Sequence, residues 1–107
     1  MGKVLKIDTS DNKKIVIQVV DNGKIDNEIM VSSKILKSES TLSTIDKVLK
    51  KGNLKINDIK GVEVNIIAGS YTGIRVGAAI ANTLGFLLKI PINNEKIGVF
   101  AKPRYNN

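Results

Sequence analysis

Three short runs hold most of the side chains that could do chemistry. Asp8-Thr9-Ser10 sets one carboxylate before two hydroxyls at the end of an apolar run. Such a cluster can hold a hydrated cation and its phosphate, or it can close a turn, the aspartate accepting from nearby backbone N–H groups. Ser70 and Thr72 flank the start of a second apolar run, where hydroxyls either line an anion-binding nest or cap a helix. Arg75 follows one turn later and can meet phosphate, a partner carboxylate or water. The sequence has no histidine and no cysteine. That removes the commonest general base, the usual nucleophile–base pairs, and imidazole or thiolate metal sites. No cofactor is expected, and a small phosphate-handling enzyme using Asp8, Ser70 and Thr72 is the lesser alternative.

The elements that must position these groups read in the order βββαβα. Val4–Asp8 is a short strand, and Thr9 to Asn12 is turn chemistry. Lys14–Val20 is apolar on both faces, as a central strand should be, and Asn22-Gly23 suits a tight hairpin into Lys24–Ser32. Ser38 reads as an N-cap with Glu39 in the first turn, and Leu42, Ile45, Val48 and Leu49 follow at helical spacing. Lys50-Lys51-Gly52 makes a C-terminus. Ile56–Lys60 leads into a strand over Val62–Ala68, and a second helix runs to about Leu88 before Pro91. Antiparallel strands followed by a crossover helix give an α/β ribonuclease H-like mixed sheet. Residues 1–92 form the domain; 93–107 read as a tail or last short strand.

The second helix carries Gly73, Gly77, Ala81 and Gly85 at every fourth position, one slowly drifting stripe. Its three glycines cost roughly 2–3 kcal/mol relative to alanine, so a close backbone approach must offset them. The stripe either seats the helix on its own sheet or first helix, or receives a partner helix. Phe86 falls on the far side with Arg75, Asn82 and Thr83, out of place for a helix that meets only water there. The candidate partner surface comprises Leu42, Ile45 and Leu49 with Gly73, Gly77, Ala78, Ala81, Leu84 and Gly85.

At 107 residues and 42% hydrophobic content, the chain builds one modest core. No apolar run is long enough to span a membrane, no signal-like apolar core opens the chain, and a cytoplasmic location is the plain expectation. The net charge of +7 comes from fifteen lysines among seventeen cations, scattered along the sequence. With only 4% aromatic residues there is no stacking platform, so any RNA contact is expected to be weak or indirect and salt-sensitive.

The run Gly69-Ser70-Tyr71-Thr72-Gly73-Ile74-Arg75-Val76-Gly77, with Ile7-Asp8-Thr9-Ser10 before it and Ser38-Glu39, Leu42 and Ile45-Asp46 between, resembles the threonylcarbamoyladenosine biosynthesis family TsaB. The likeness covers about residues 3 to 92 and departs at Ile67-Ala68, Lys37 and Ser43. It implies the actin-like superfamily fold as a single subdomain, without the between-subdomain cleft where nucleotides bind. It further implies a non-catalytic scaffold in tRNA modification, paired through its two helices with a TsaD-like transferase. The metal-holding histidines of that transferase have no counterpart here. A TsaE-like ATPase is a further partner that the resemblance raises, and a stand-alone homodimer through the same helices is the alternative.

Overall fold

The computed structural model describes residues 2–32 and 37–104. Strands β1 (Lys3–Asp8), β2 (Lys14–Asp21) and β3 (Lys24–Ser32) form an antiparallel meander, and helix α1 (Lys37–Lys51) follows. A 3-10 turn at Ile56–Asp58 then leads into β4 (Ile59–Val64) and helix α2 (Tyr71–Leu88). The sheet order is β3-β2-β1-β4, with β4 parallel to β1, so the mixed ribonuclease H-like arrangement expected from the sequence is the one observed. Asn22 and Gly23 both take left-handed φ values, 53° and 79°, and close the β2–β3 hairpin between Asp21 and Lys24.

Register decides which side chains are buried. Leu5 lies between Val19 and Val62, and Ile7 between Ile17 and Val64, so these side chains share one face. Both helices cover that face, α1 over β2 and β3, α2 over β1 and β4. Leu5, Ile7, Ile15, Ile17 and Val19 are buried there beside Val48 of α1 and Ala81 of α2. Among the described residues no helix covers the opposite face. It alternates apolar and polar rows, Val4 and Val20 in one, Lys6, Gln18 and Glu63 in the next.

Several boundaries differ from expectation. α1 begins at Lys37, so Ser38 lies inside its first turn rather than capping it. At its far end the left-handed residue is Asn53 (φ 56°), not Gly52. Asn53 N–H bonds to the Lys50 carbonyl at 3.1 Å and Leu54 N–H to Leu49 at 2.8 Å, a Schellman closure. β4 stops at Val64 instead of Ala68, because the Asn65 side chain accepts from Ile67 N–H and turns the chain out of the sheet. Lys89 (φ 54°) ends α2 before Pro91.

After α2 the chain returns to the outer edge of β4. Val62 N–H bonds to the Pro91 carbonyl (3.0 Å) and Asn93 N–H to the Val62 carbonyl (2.8 Å). Asn93 and Asn94 then turn the chain back with φ 52° and 62°, and Glu95 N–H closes onto Ile92. The Asn93 side-chain amide bonds to both the N–H and the carbonyl of Val64 (2.8 and 3.2 Å). Asn82 of α2 does the same to Ala101, at 2.7 and 2.9 Å. Residues 93–104, read from composition as tail or short strand, are thus docked on the domain; 105–107 lie outside the described residues. Among the described residues no helix is long and apolar enough to cross a membrane.

Candidate functional site

The C-terminal ends of β1 and β4 and the start of α2 converge at one end of the molecule, the place where α/β sheets commonly gather ligands. Asp8 ends β1, and its Oδ1 accepts from the Ser10 N–H (3.0 Å) and the Ser10 hydroxyl (2.5 Å). Asn65 Nδ2 donates to Ser10 Oγ at 3.0 Å, and Ser70 N–H donates to the Ser10 carbonyl at 2.6 Å. Ser70 caps α2, its hydroxyl accepting from Gly73 N–H at 3.3 Å. The groups that could hold a phosphate therefore make a bonded turn and a cap. Thr72 is exposed beside them. Among the described residues no three carboxylates lie close enough to hold a metal ion.

Thr9 points the other way, under α2, fully buried, and donates its hydroxyl to the Gly73 carbonyl at 2.5 Å. A Cβ on Gly77 would come within 2.5 Å of Thr9 Oγ1 and 3.1 Å of Val64 Cγ2. A Cβ on Gly85 would meet Ile92 Cδ1 at 2.5 Å. The stripe thus seats α2 on the chain's own strands, the first of its two readings. Of the expected partner surface, Ile45, Leu49, Gly73, Gly77, Ala78, Ala81 and Gly85 are buried within the chain. Leu84 is half-buried, and only Leu42 of that set is exposed, at 55%.

The surface that α2 turns outward holds Thr72, Arg75, Ala79, Thr83 and Phe86, with Val76 half-buried beside them. Phe86 is 68% exposed and Leu87 67%. Arg75 lies over the Tyr71 ring, 5.4 Å from its centroid, and bonds to the Tyr71 hydroxyl at 3.2 Å. Asn82, placed with the solvent side by its helical phase, instead clasps Ala101. On the face of the sheet opposite the helices, Lys6, Asp8, Lys14, Glu63, Asn65 and Asn93 line an open depression of about 430 Å³, across which Lys6 and Glu63 pair at 3.5 Å.

Residues 34–94, more than half of the chain, match the family TsaD, tRNA N6-adenosine threonylcarbamoyltransferase. The chain belongs to that family. The relatives include the tRNA N6-adenosine threonylcarbamoyltransferase of Persephonella marina, 25% identical over 119 residues and covering 92% of this chain and 34% of the relative, and two TsaB proteins. The tRNA threonylcarbamoyladenosine biosynthesis protein TsaB of Buchnera aphidicola is 31% identical over 97 residues, covering 83% of this chain and 41% of the relative. TsaB of Bacillus subtilis is 30% identical over 90 residues, covering 84% and 39%. The solved structure of YeaZ from Pseudomonas aeruginosa superposes with a TM-score of 0.76 at 18% identity, covering 85% of this chain and 43% of that one. The chain spans about two fifths of the length of these two TsaB relatives.

For a TsaB-like chain the two motifs now have a joint physical reason. Asp8-Thr9-Ser10 and Gly73-x-x-x-Gly77 are the two halves of one contact, hydroxyl into helix backbone. The sequence named both runs, and the one sign that Thr9 was the buried member was its place at alternate positions after Leu5 and Ile7, on the face those residues bury. Asn65, Asn82 and Asn93 carried no signal at all, because asparagine is common along the whole chain.

Proposed function

We propose that this TsaB-like chain is a non-catalytic scaffold in tRNA N6-threonylcarbamoyladenosine modification, and that it pairs with a TsaD-like transferase. Pairing uses the outward surface of α2 together with Leu42 of α1. The observation that carries this reading is the exposed apolar surface of α2, where Phe86 and Leu87 are each about two-thirds exposed around small Ala79 and Thr83. Small residues between large ones let a second helix approach closely and add dispersion contacts. The scaffold role is supported by the absence of histidine and cysteine and by the use of Asp8, Ser10 and Ser70 in a turn and a cap.

The test is size-exclusion chromatography with light scattering, the chain alone and then mixed with the TsaD-like protein of the same source. A one-to-one complex is expected, burying roughly 1,200–2,000 Å². Phe86→Asp should abolish it while the melting temperature stays within about 2 °C, since exposed substitutions move stability by about 0.5 kcal/mol. A complex that survives Phe86→Asp would remove α2 from the interface. A stable dimer of the chain, indifferent to the transferase, would replace the scaffold reading with a homodimeric module.

A further inference from the structure

Asn22-Gly23 takes no part in the scaffold reading, and it is the only asparagine followed by glycine in the chain. The pair closes the β2–β3 hairpin with φ values of 53° and 79°, and both residues are exposed. A Cβ on Gly23 would meet nothing within 4 Å, so the main chain at this tip stands in open space. Gly23 also presents a peptide N–H that no side chain of its own shields. Three other asparagines are held by their amides: Asn65 to Ser10 Oγ, Asn82 to the main chain of Ala101, and Asn93 to the main chain of Val64. Among the described residues no bond holds the amide of Asn22.

We propose that Asn22 is a spontaneous modification site, at which the folded chain ages into aspartate and isoaspartate forms. The Gly23 main-chain nitrogen attacks Cγ of Asn22, and an N–Cγ bond forms. The Cγ–Nδ2 bond breaks, and the amide leaves as ammonia with the proton that Gly23 gives up. The product is a five-membered succinimide ring. Water then adds to one of its two carbonyls and opens it. Opening at Cγ leaves aspartate; opening at the main-chain carbonyl leaves isoaspartate, whose chain runs through Cβ and Cγ. No electrons are exchanged, and water is the sole co-reactant. Ring closure requires Asn22 to leave its left-handed conformation, so the rate follows local opening of the hairpin tip.

The two products differ in consequence. Aspartate keeps the turn, because Asp-Gly suits the same tight hairpin. It sets a new carboxylate beside Asp21, which with Asp26 already holds Lys3. Isoaspartate instead adds a carbon to the main chain inside a two-residue turn, and the adjoining Asp21–Lys24 pair is the first to be lost.

The test is peptide mapping by mass spectrometry, on the folded chain held in mildly alkaline buffer made with oxygen-18 water. Acid should form at Asn22 at least about tenfold faster than at any other asparagine, carry the heavy oxygen, and appear as both aspartate and isoaspartate. The aged chain should also leave a cation exchanger earlier, its net charge having fallen. Asn22→Gly removes the reacting amide and leaves a glycine pair that suits the same turn, so it should show neither change over the same period. Once separated, the isoaspartate form should melt below the parent, while the aspartate form stays within about 2 °C of it. Acid at Asn22 that forms only after unfolding in urea would overturn the proposal, because the folded turn would then protect the amide. So would aspartate without isoaspartate, the mark of direct hydrolysis. Equal reaction at Asn57 or Asn94, which are exposed but precede Asp58 and Glu95, would overturn it too.

Discussion

Gly77→Ala adds one methyl group at a place where the space is already taken. Its Cβ would stand 2.5 Å from Thr9 Oγ1 and 3.1 Å from Val64 Cγ2, and Thr9 is stiff, buried and committed to the Gly73 carbonyl. Forcing a methyl into a filled core costs about 1–3 kcal/mol, and displacing the hydroxyl from Gly73 about 1 kcal/mol more. Helix propensity returns about 1 kcal/mol, since alanine replaces glycine. The net is a loss of about 1–3 kcal/mol, which in a chain of this size lowers the melting temperature by roughly 4–13 °C. Calorimetry of the single variants and of Thr9→Ala/Gly77→Ala separates the terms. Thr9→Ala removes the oxygen that the new methyl would strike, so the double variant should recover about 1–2 kcal/mol relative to the sum of the singles. If Gly77→Ala raises the melting temperature, or the two substitutions add without coupling, the contact between Thr9 and α2 does not explain the glycine.

Gly69→Ala should cost about 3 kcal/mol in chemical denaturation, because φ is +130° and the added Cβ would meet the Ser10 carbonyl oxygen at 2.5 Å; a neutral result would mean that the turn can move away. At Lys3, Asp26 first and then Asp21 hold the ammonium above its ordinary 10.5. A raised value means that the stabilisation is complete below the unfolded pKa and is lost as pH climbs through the folded one. Lys3→Met should therefore differ from the parent in melting temperature by the same amount at pH 7 and pH 9, and the difference should shrink above about 10.5; a gap that persists at higher pH would count against the ion pairs.

The order of elements was legible because each carries its own period. Lys14–Val20 is an apolar run too short for a helix, and Asn22-Gly23 admits almost nothing but a tight hairpin. The end of β4 was not legible, since Ile66 and Ile67 continue the apolar pattern and only the Asn65 side chain, acting on the backbone, stops the strand. The stripe of small residues was legible as a close approach but not as to what approached it. Spacing along a helix states that one flank must be thin; it holds no information on whether the neighbour is Thr9 of the same chain or a helix of another. Phe86 carried the complementary message, because a large apolar side chain opposite the buried flank is left largely exposed by the described residues.

The closure of the β4 edge has a consequence for association between molecules. Along that edge the successive partners are the Pro91 carbonyl, the Asn93 main chain, the Asn93 side-chain amide and the Arg104 N–H. No uninterrupted row of main-chain donors and acceptors remains there for a stranger's strand to copy. A proline that cannot donate, then a turn, then a side chain standing in for a peptide unit make this border of the sheet a poor template, whatever sequence is presented to it. Protection against runaway strand addition on this side is thus supplied by two asparagines and a proline, residues usually regarded as breakers of sheets rather than as their terminators.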